Sequence, residues 1–352
     1  MQTARTKLQS FDVSATSNDR SQERLFVTRR QIRRTTVTGL MLVALCLSFF
    51  AAPVSAQDNK ASVENAITWL QGQQQPDGGF AGFSGASDPG ATVDAIFAMV
   101  AAQSLGVSAD TEAAMKYLES GDIALVYAQT SAGSAAKLAL ALVATGNDPH
   151  DFSGVNPMSI VEVGAGLGMI GLGPYDHAYG IQALVATGTP VPELAIDTAR
   201  NSQIEDGSWA FDGTMTAGAG DTNTTAMILQ ALVAAGVTSE LVTNATDYLI
   251  STQNEDGGFP YQPGAESDAN STALVIQAMI AANEENHADA LANAQKALAG
   301  MQNESGAFYY MASTPDDNAY ATVQAIPALV GVAFPLPVAM PVLATPEATP
   351  AG

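Results

Sequence analysis

Cysteine is nearly absent: the 352 residues contain one, Cys46, inside an apolar run from Gly39 to Ala52. Everything downstream of that run lacks a thiol. This excludes disulfides, a zinc–thiolate site, a cysteine nucleophile and an internal thioester there. Basic residues are also scarce, with 13 Lys and Arg against 35 Asp and Glu. Eight of those 13 fall in the first 34 residues. Beyond residue 56 only Lys60, Lys116, Lys137, Arg200 and Lys296 remain, against 32 acids, a formal charge near −27. Such a surface repels nucleic acid and anionic lipid, so no nucleic-acid partner is expected. The three histidines, His150, His177 and His287, are scattered. No convergent set of metal ligands is visible, so no cofactor and no zinc is expected, and calcium at the acidic loops is left open.

The termini are biased in composition. Residues 1–56 carry a long basic region, the apolar run and then Pro53-Val54-Ser55-Ala56. That is the layout of a signal peptide cut after Ala56, which predicts a secreted or extracytoplasmic protein. Uncleaved, the run is the one expected route to a membrane, though it is short for a span. Residues 332–352 include Pro335, Pro337, Pro341, Pro346 and Pro350. Such a stretch cannot continue a helix and reads as a disordered tail or linker. The domain is thus expected over residues 57–331.

Within that span a phrase recurs. Leu70 begins L-Q-G-Q-Q-Q-P-D-G-G-F, and Leu249 begins L-I-S-T-Q-N-E-D-G-G-F. Ala199 begins A-R-N-S-Q-I-E-D-G-S-W, and Leu298 begins L-A-G-M-Q-N-E-S-G-A-F. Each places Gln, then Gly four residues later, then an aromatic two residues on: Gln74/Phe80, Gln203/Trp209, Gln253/Phe259 and Gln302/Phe308. A helical stretch precedes each phrase; a polar loop and an Ala-rich apolar helix follow. Marking the residue before an A-[LMI]-[VIP] triplet gives Phe97, Leu140, Gln182, Gln230, Gln277 and Gln324, in steps of 43, 42, 48, 47 and 47. The pattern predicts six units and twelve helices. Units two and three lack the phrase. Helices apolar nearly all round are buried on most sides, so six hairpins predict an all-α (α/α)6 ring; an open solenoid of similar period is the competitor.

The phrase from Lys296 to Phe308 resembles the glutamine–tryptophan repeat of squalene and oxidosqualene cyclases. Through it, residues 61–331 resemble the terpenoid cyclase and protein prenyltransferase superfamily of α/α toroids. The resemblance implies that Gln74, Gln203, Gln253 and Gln302 cap helices and stack on their aromatics, a structural role. It does not carry the catalytic signatures across. Cyclases that protonate an alkene carry clustered aspartates, and Asp221-Thr-Asn-Thr-Thr-Ala226 offers one. Protein prenyltransferases hold zinc through Asp, Cys and His, and no Cys is available. The expected function is a ligand-binding or scaffolding module without catalysis, its partner a small molecule or an extracellular protein. The alternatives are a cyclase-like or transferase-like enzyme with a degenerate acidic motif, or a polysaccharide-active (α/α)6 enzyme using paired acids.

Several residues could carry a site. Tyr175-Asp176-His177-Ala178-Tyr179 is the densest stretch chemically, and His177 beside a carboxylate suits acid–base work. The bland reading is a helix cap with a hydrogen-bonded histidine. Asp88, Asp221, Asp268 and Asp317 precede successive second helices, as caps or as an acidic rim. Asp176, His177 and Asp221 are therefore the catalytic candidates, and Tyr175, Tyr179, Asp268 and Tyr320 the ligand-contacting ones. Asp77, Asp206 and Asp256 suit tight turns. Gln182, Gln230, Gln277 and Gln324 either bond between repeats, as buried amides need partners, or point into the cup.

Overall fold

The computed structural model describes residues 56–283 and 287–338. The expected signal segment, save Ala56, and residues 339–352 lie outside them. The described residues form 13 helices and two small antiparallel ribbons. Unit one is α1 (Ala56–Gln71) and α2 (Pro89–Ser104). Unit two is α3 (Glu112–Glu119), α4 (Ile123–Thr130) and α5 (Ala132–Ala144). Units three to six are α6 (Pro157–Gly166) with α7 (Pro174–Ala186), α8 (Glu193–Asn201) with α9 (Thr222–Ala234), α10 (Glu240–Ser251) with α11 (Ala269–Ala282), and α12 (Ala288–Ala299) with α13 (Ala319–Val330).

The second helices make a closed ring. α2 packs on α5, α5 on α7, α7 on α9, α9 on α11 and α11 on α13; α13 returns to α2. Their burial explains their composition. In α11 the run from Ala269 to Met279 is buried on every face, and abundant Ala lets neighbouring backbones approach. The outer helices sit over the seams: α1 touches α13 as well as α2, α10 touches α9 as well as α11, and α12 touches α11 as well as α13.

The recurring phrase builds those seams. Gln203 Nε2 donates to the carbonyls of Gly207 at 2.9 Å and of Leu241, in the next outer helix, at 3.0 Å. Gln253 does the same with Gly257 and Ala290, and Gln302 with Gly306 and Ser62. Gln74 donates to Gly78 at 2.9 Å. Each amide therefore closes its own turn, and three of them also bridge to the following unit, the last reaching back to unit one. The glycine is required twice over. At Gly207 φ is +92°, and a β-carbon would stand 2.2 Å from the Asn244 carbonyl oxygen. The aromatic fills the gap beneath: Trp209, Phe259 and Phe308 are fully buried.

One partner of the phrase is absent from the pattern read above. The aromatic N–H donates to a threonine on the following inner helix: Phe80 to Thr92, Trp209 to Thr225, Phe259 to Thr272 and Phe308 to Thr322, at 2.9–3.0 Å. Each threonine lies four residues after the N-cap of that helix, namely Asp88, Asp221, Asp268 or Asn318.

Three expectations need correction. There are 13 described helices rather than twelve, because Gly121, at φ +56°, breaks the outer layer of unit two into α3 and α4. In units one and six part of the loop is paired: β1 (Phe80–Ala81) with β2 (Ser87–Asp88), and β3 (Phe308–Met311) with β4 (Thr314–Asn318). The chain after Gly331 does not run free at once, since Phe334 and Leu336 are buried. Their side chains find apolar partners inside the ring, which the proline content does not report.

Candidate functional site

The N-terminal turns of the inner helices face one opening of the ring. Three of them place their side chains at one level, three residues before the repeat marker: Asp94 on α2, Lys137 on α5 and Tyr179 on α7. Lys137 Nζ lies 2.6 Å from Asp94 Oδ1, with the two side chains 17% and 16% exposed. The same ammonium stands 5.6 Å from the centroid of the Tyr179 ring, within cation–π range. Tyr175 packs edge-on against Tyr179 at 5.7 Å, and Phe211 lies 6.3 Å from Tyr175. Tyr127 from α4 and Tyr320 from α13 complete the group through their electrostatic coupling to Lys137.

Electrostatics keep this cluster neutral overall. Burial would push the Lys137 ammonium down, but the Asp94 carboxylate and the surrounding phenol groups outweigh it, and the net direction is up. Burial, then Asp94, pushes Tyr320 up to about 12. Burial likewise raises Tyr175 and Tyr179 well above the ordinary phenol value. All three phenols stay protonated at neutral pH and can donate hydrogen bonds. Beside the cluster, between α2 and α13, is a cavity of about 510 Å³ lined by residues including Leu70, Phe80, Phe83, Asp94, Tyr320 and Val323. Another hollow, about 470 Å³, lies among Asp256, Asn293 and Lys296. It is lined by seam residues and has no comparable cluster.

The other candidates are tied up at helix ends. His177 Nε2 donates to the Ala195 carbonyl at 2.9 Å, and its Nδ1 accepts from the Ile170 N–H at 3.1 Å. These bonds fix a neutral tautomer that bolts α7 to α8. Burial lowers its pKa, opposed by the Ala195 bond. A carboxylate in contact would raise it, but Asp176 turns away to accept from the Leu172 N–H. Asp176 instead wedges against Gly133 and Gly171, where a β-carbon would collide with it.

Asp221 caps α9, accepting from Thr224 N at 2.7 Å and Phe211 N at 2.9 Å. Asp268 caps α11 through Ser271 N and Oγ. Burial raises both pKa values and these hydrogen bonds oppose the rise. Asp88 and Asn318 cap α2 and α13; Asp317 accepts from Asn303 and Ser305 instead. Asp77, Asp206 and Asp256 each accept from a backbone N–H two residues on and from a serine hydroxyl. No group of three or more His, Cys, Asp or Glu that could hold a metal occurs among the described residues. No described helix is long and apolar enough to cross a membrane.

The ring therefore gathers Tyr175, Tyr179 and Tyr320, and leaves Asp176, His177, Asp221 and Asp268 in local bonds. Asp94 and Lys137 were missed. The available signal was a charge in the middle of a helix otherwise apolar on every side.

A family model described as the prenyltransferase alpha-alpha toroid domain matches residues 17–137 and 181–330. No curated protein sequence matches the chain. Among solved structures, the type II terpene cyclase MstE from Scytonema superposes with a TM-score of 0.56 at 14% identity, covering 78% of this chain and 98% of that one. A protein from Actinoplanes gives 0.58 at 15% identity, covering 78% and 99%. A possible member of the GH105 family from Klebsiella pneumoniae gives 0.54 at 11% identity, covering 86% and 98%. At these identities the likeness is one of fold alone.

Proposed function

The chain belongs to the prenyltransferase α/α-toroid family, and on that premise we propose that it is a secreted ligand-binding module whose site is the mouth of the ring, without catalysis of its own. One observation carries the reading: a self-neutralised ion pair, Asp94–Lys137, set among protonated tyrosines beside a cavity of about 510 Å³. Apolar walls with a few fixed polar groups suit a small molecule with a flat apolar body and hydrogen-bonding edges. The buried rim carboxylates Asp221 and Asp268 support it from the other side, since both are engaged as helix caps. The leader composition of residues 1–56 supports secretion.

The test is a small-molecule screen by thermal shift on the chain beginning at residue 57, followed by calorimetry of the hits. Tyr320→Ala and Lys137→Met should each weaken a mouth ligand at least about tenfold, a loss of roughly 1.4 kcal/mol. A hit bound equally by both variants would place the site elsewhere. A second reading, an enzyme of the kind MstE is, has one observation in its favour: burial raises the Asp221 pKa. Product formation from a polyprenyl substrate, lost in Asp221→Asn, would replace the binding-module reading.

A further inference from the structure

The segment after α13 enters the ring. Phe334 packs edge-on against Phe97 of α2, at 4.9 Å, and against Tyr179 of α7, at 6.4 Å. Its backbone N–H donates to Gln230 Oε1 of α9 at 3.1 Å. Helices α2 and α9 stand opposite each other in the ring, so a residue that touches both lies at its centre. Phe334 and Leu336 are buried, and by Val338 the side chain is exposed again. Residues 332–338 thus floor the cup whose rim carries the tyrosines.

This occupant leaves the lumen unsatisfied. Gln182, Gln277 and Gln324 hold the repeat positions equivalent to Phe97 and Gln230. Both amide atoms of Gln182, and Oε1 of Gln277 and of Gln324, have no hydrogen-bond partner. Gln182 and Gln277 are 0% and 1% exposed. Buried amides without partners are costly and uncommon. The expected bonding between repeats is not what they do; the one marker glutamine with a longer-range bond uses it on the backbone of the segment.

We propose that the lumen is a peptide-binding site, occupied in cis by residues 332–338, that accepts in trans a short segment of a partner protein in which an aromatic residue precedes proline. The resident displays the recognition chemistry. Its aromatic ring fills the space between Phe97 and Tyr179. Pro335 and Pro337 lack the backbone donors that would need partners there, and the chain bends at Phe334 and Pro335. Proline, with its fixed φ, reduces the conformational entropy that such a segment loses on docking. A glutamine side chain offers both a donor and an acceptor, so the unpaired amides can take N–H and carbonyl groups that the resident does not supply. The resident follows α13 through its Gly331 cap and is no part of the seams between repeats, so it can leave without opening one. The tether gives it an effective concentration in the millimolar range, so a partner competes only by binding better.

The proposal is independent of any ligand at the mouth, and the full-length chain tests it. The probe is a fluorescein-labelled peptide V-A-F-P-L-P-V, the sequence of residues 332–338. Phe334→Ala removes the resident's anchor, and this variant should bind the peptide at least tenfold more tightly than wild type does. The same peptide with alanine for phenylalanine should not compete. Circular dichroism establishes that the variant is folded. Hydrogen exchange on the wild-type chain provides a second measurement: the Phe334 amide should exchange well before the amides of α9 and α13, through local release of the segment. Absence of binding to folded Phe334→Ala, equal binding by both proteins, or exchange of Phe334 only in step with α9 and α13 would each overturn the proposal and make the segment a fixed part of the core.

Discussion

Gly306 lies so close to Asn65 that a β-carbon on the glycine would stand 2.5 Å from the Asn65 carbonyl oxygen. Unit six therefore meets unit one by the same contact that joins Gly207 to Asn244 and Gly257 to Asn293. Gly306 also holds φ at +95°. Gly306→Ala should cost at least about 1–2 kcal/mol from the backbone alone, and more from the collision. Thermal unfolding reads this directly; an unchanged melting temperature would mean that the seam does not hold the ring shut.

The phrase should behave as a staple of unequal parts. Trp209→Ala removes a fully buried aromatic whose indole N–H donates to the Ala199 carbonyl, for an expected loss of about 3–5 kcal/mol. Gln253→Ala removes one amide that bonds two carbonyls, for about 1–2 kcal/mol. Chemical denaturation of both variants should preserve that order.

Asp94→Asn leaves the Lys137 ammonium in a mostly buried place without its anion, a loss of about 3 kcal/mol. The double variant Asp94→Asn/Lys137→Met should recover much of it. The pH dependence follows from the raised Lys137 pKa. The stability this gives is fully present below the unfolded lysine value of about 10.4 and is lost only as pH rises through the folded value. Urea titrations between neutral pH and about pH 10 should show no lysine-linked weakening in wild type.

His177 predicts an effect at the acid end. Its pKa is lowered by burial, so at mildly acid pH the unfolded chain binds a proton that the folded chain refuses. Stability should then rise with pH up to about 6.5 and fall below it. His177→Ala should be less stable at neutral pH by about 1–3 kcal/mol, from the orphaned Ile170 N–H and Ala195 carbonyl. It should also have a flatter profile between neutral and mildly acid pH. A variant with the wild-type slope would assign the acid sensitivity to other groups.

The ring was legible because its joint is local. Gln203, Gly207 and Trp209 sit within seven residues of each other, and the geometry of one turn dictates all three. Thr225 belongs to the same joint but lies 16 residues from Trp209; its signal, a threonine four residues after each Asp or Asn cap, is present four times in the sequence. The mouth was half legible. Tyr175 and Tyr179 stood out as a cluster, whereas Asp94 and Lys137 lie 43 residues apart and meet only because they hold one register in adjacent repeats. Reading the repeats column by column would have paired them. Phe334 left no such trace. Its burial depends on the width of a lumen set jointly by six helices, and no local pattern reports that width.

Asn59 Nδ2 donates to the Leu329 carbonyl at 3.0 Å, so the first and last helices of the ring are neighbours in space. A circle closed on itself, with the same clasp at three of its seams, has no privileged beginning. Where its polypeptide starts is a question of where the loop was cut, and units two and three, which lack the clasp, are where a different cut would disturb the fewest fastenings.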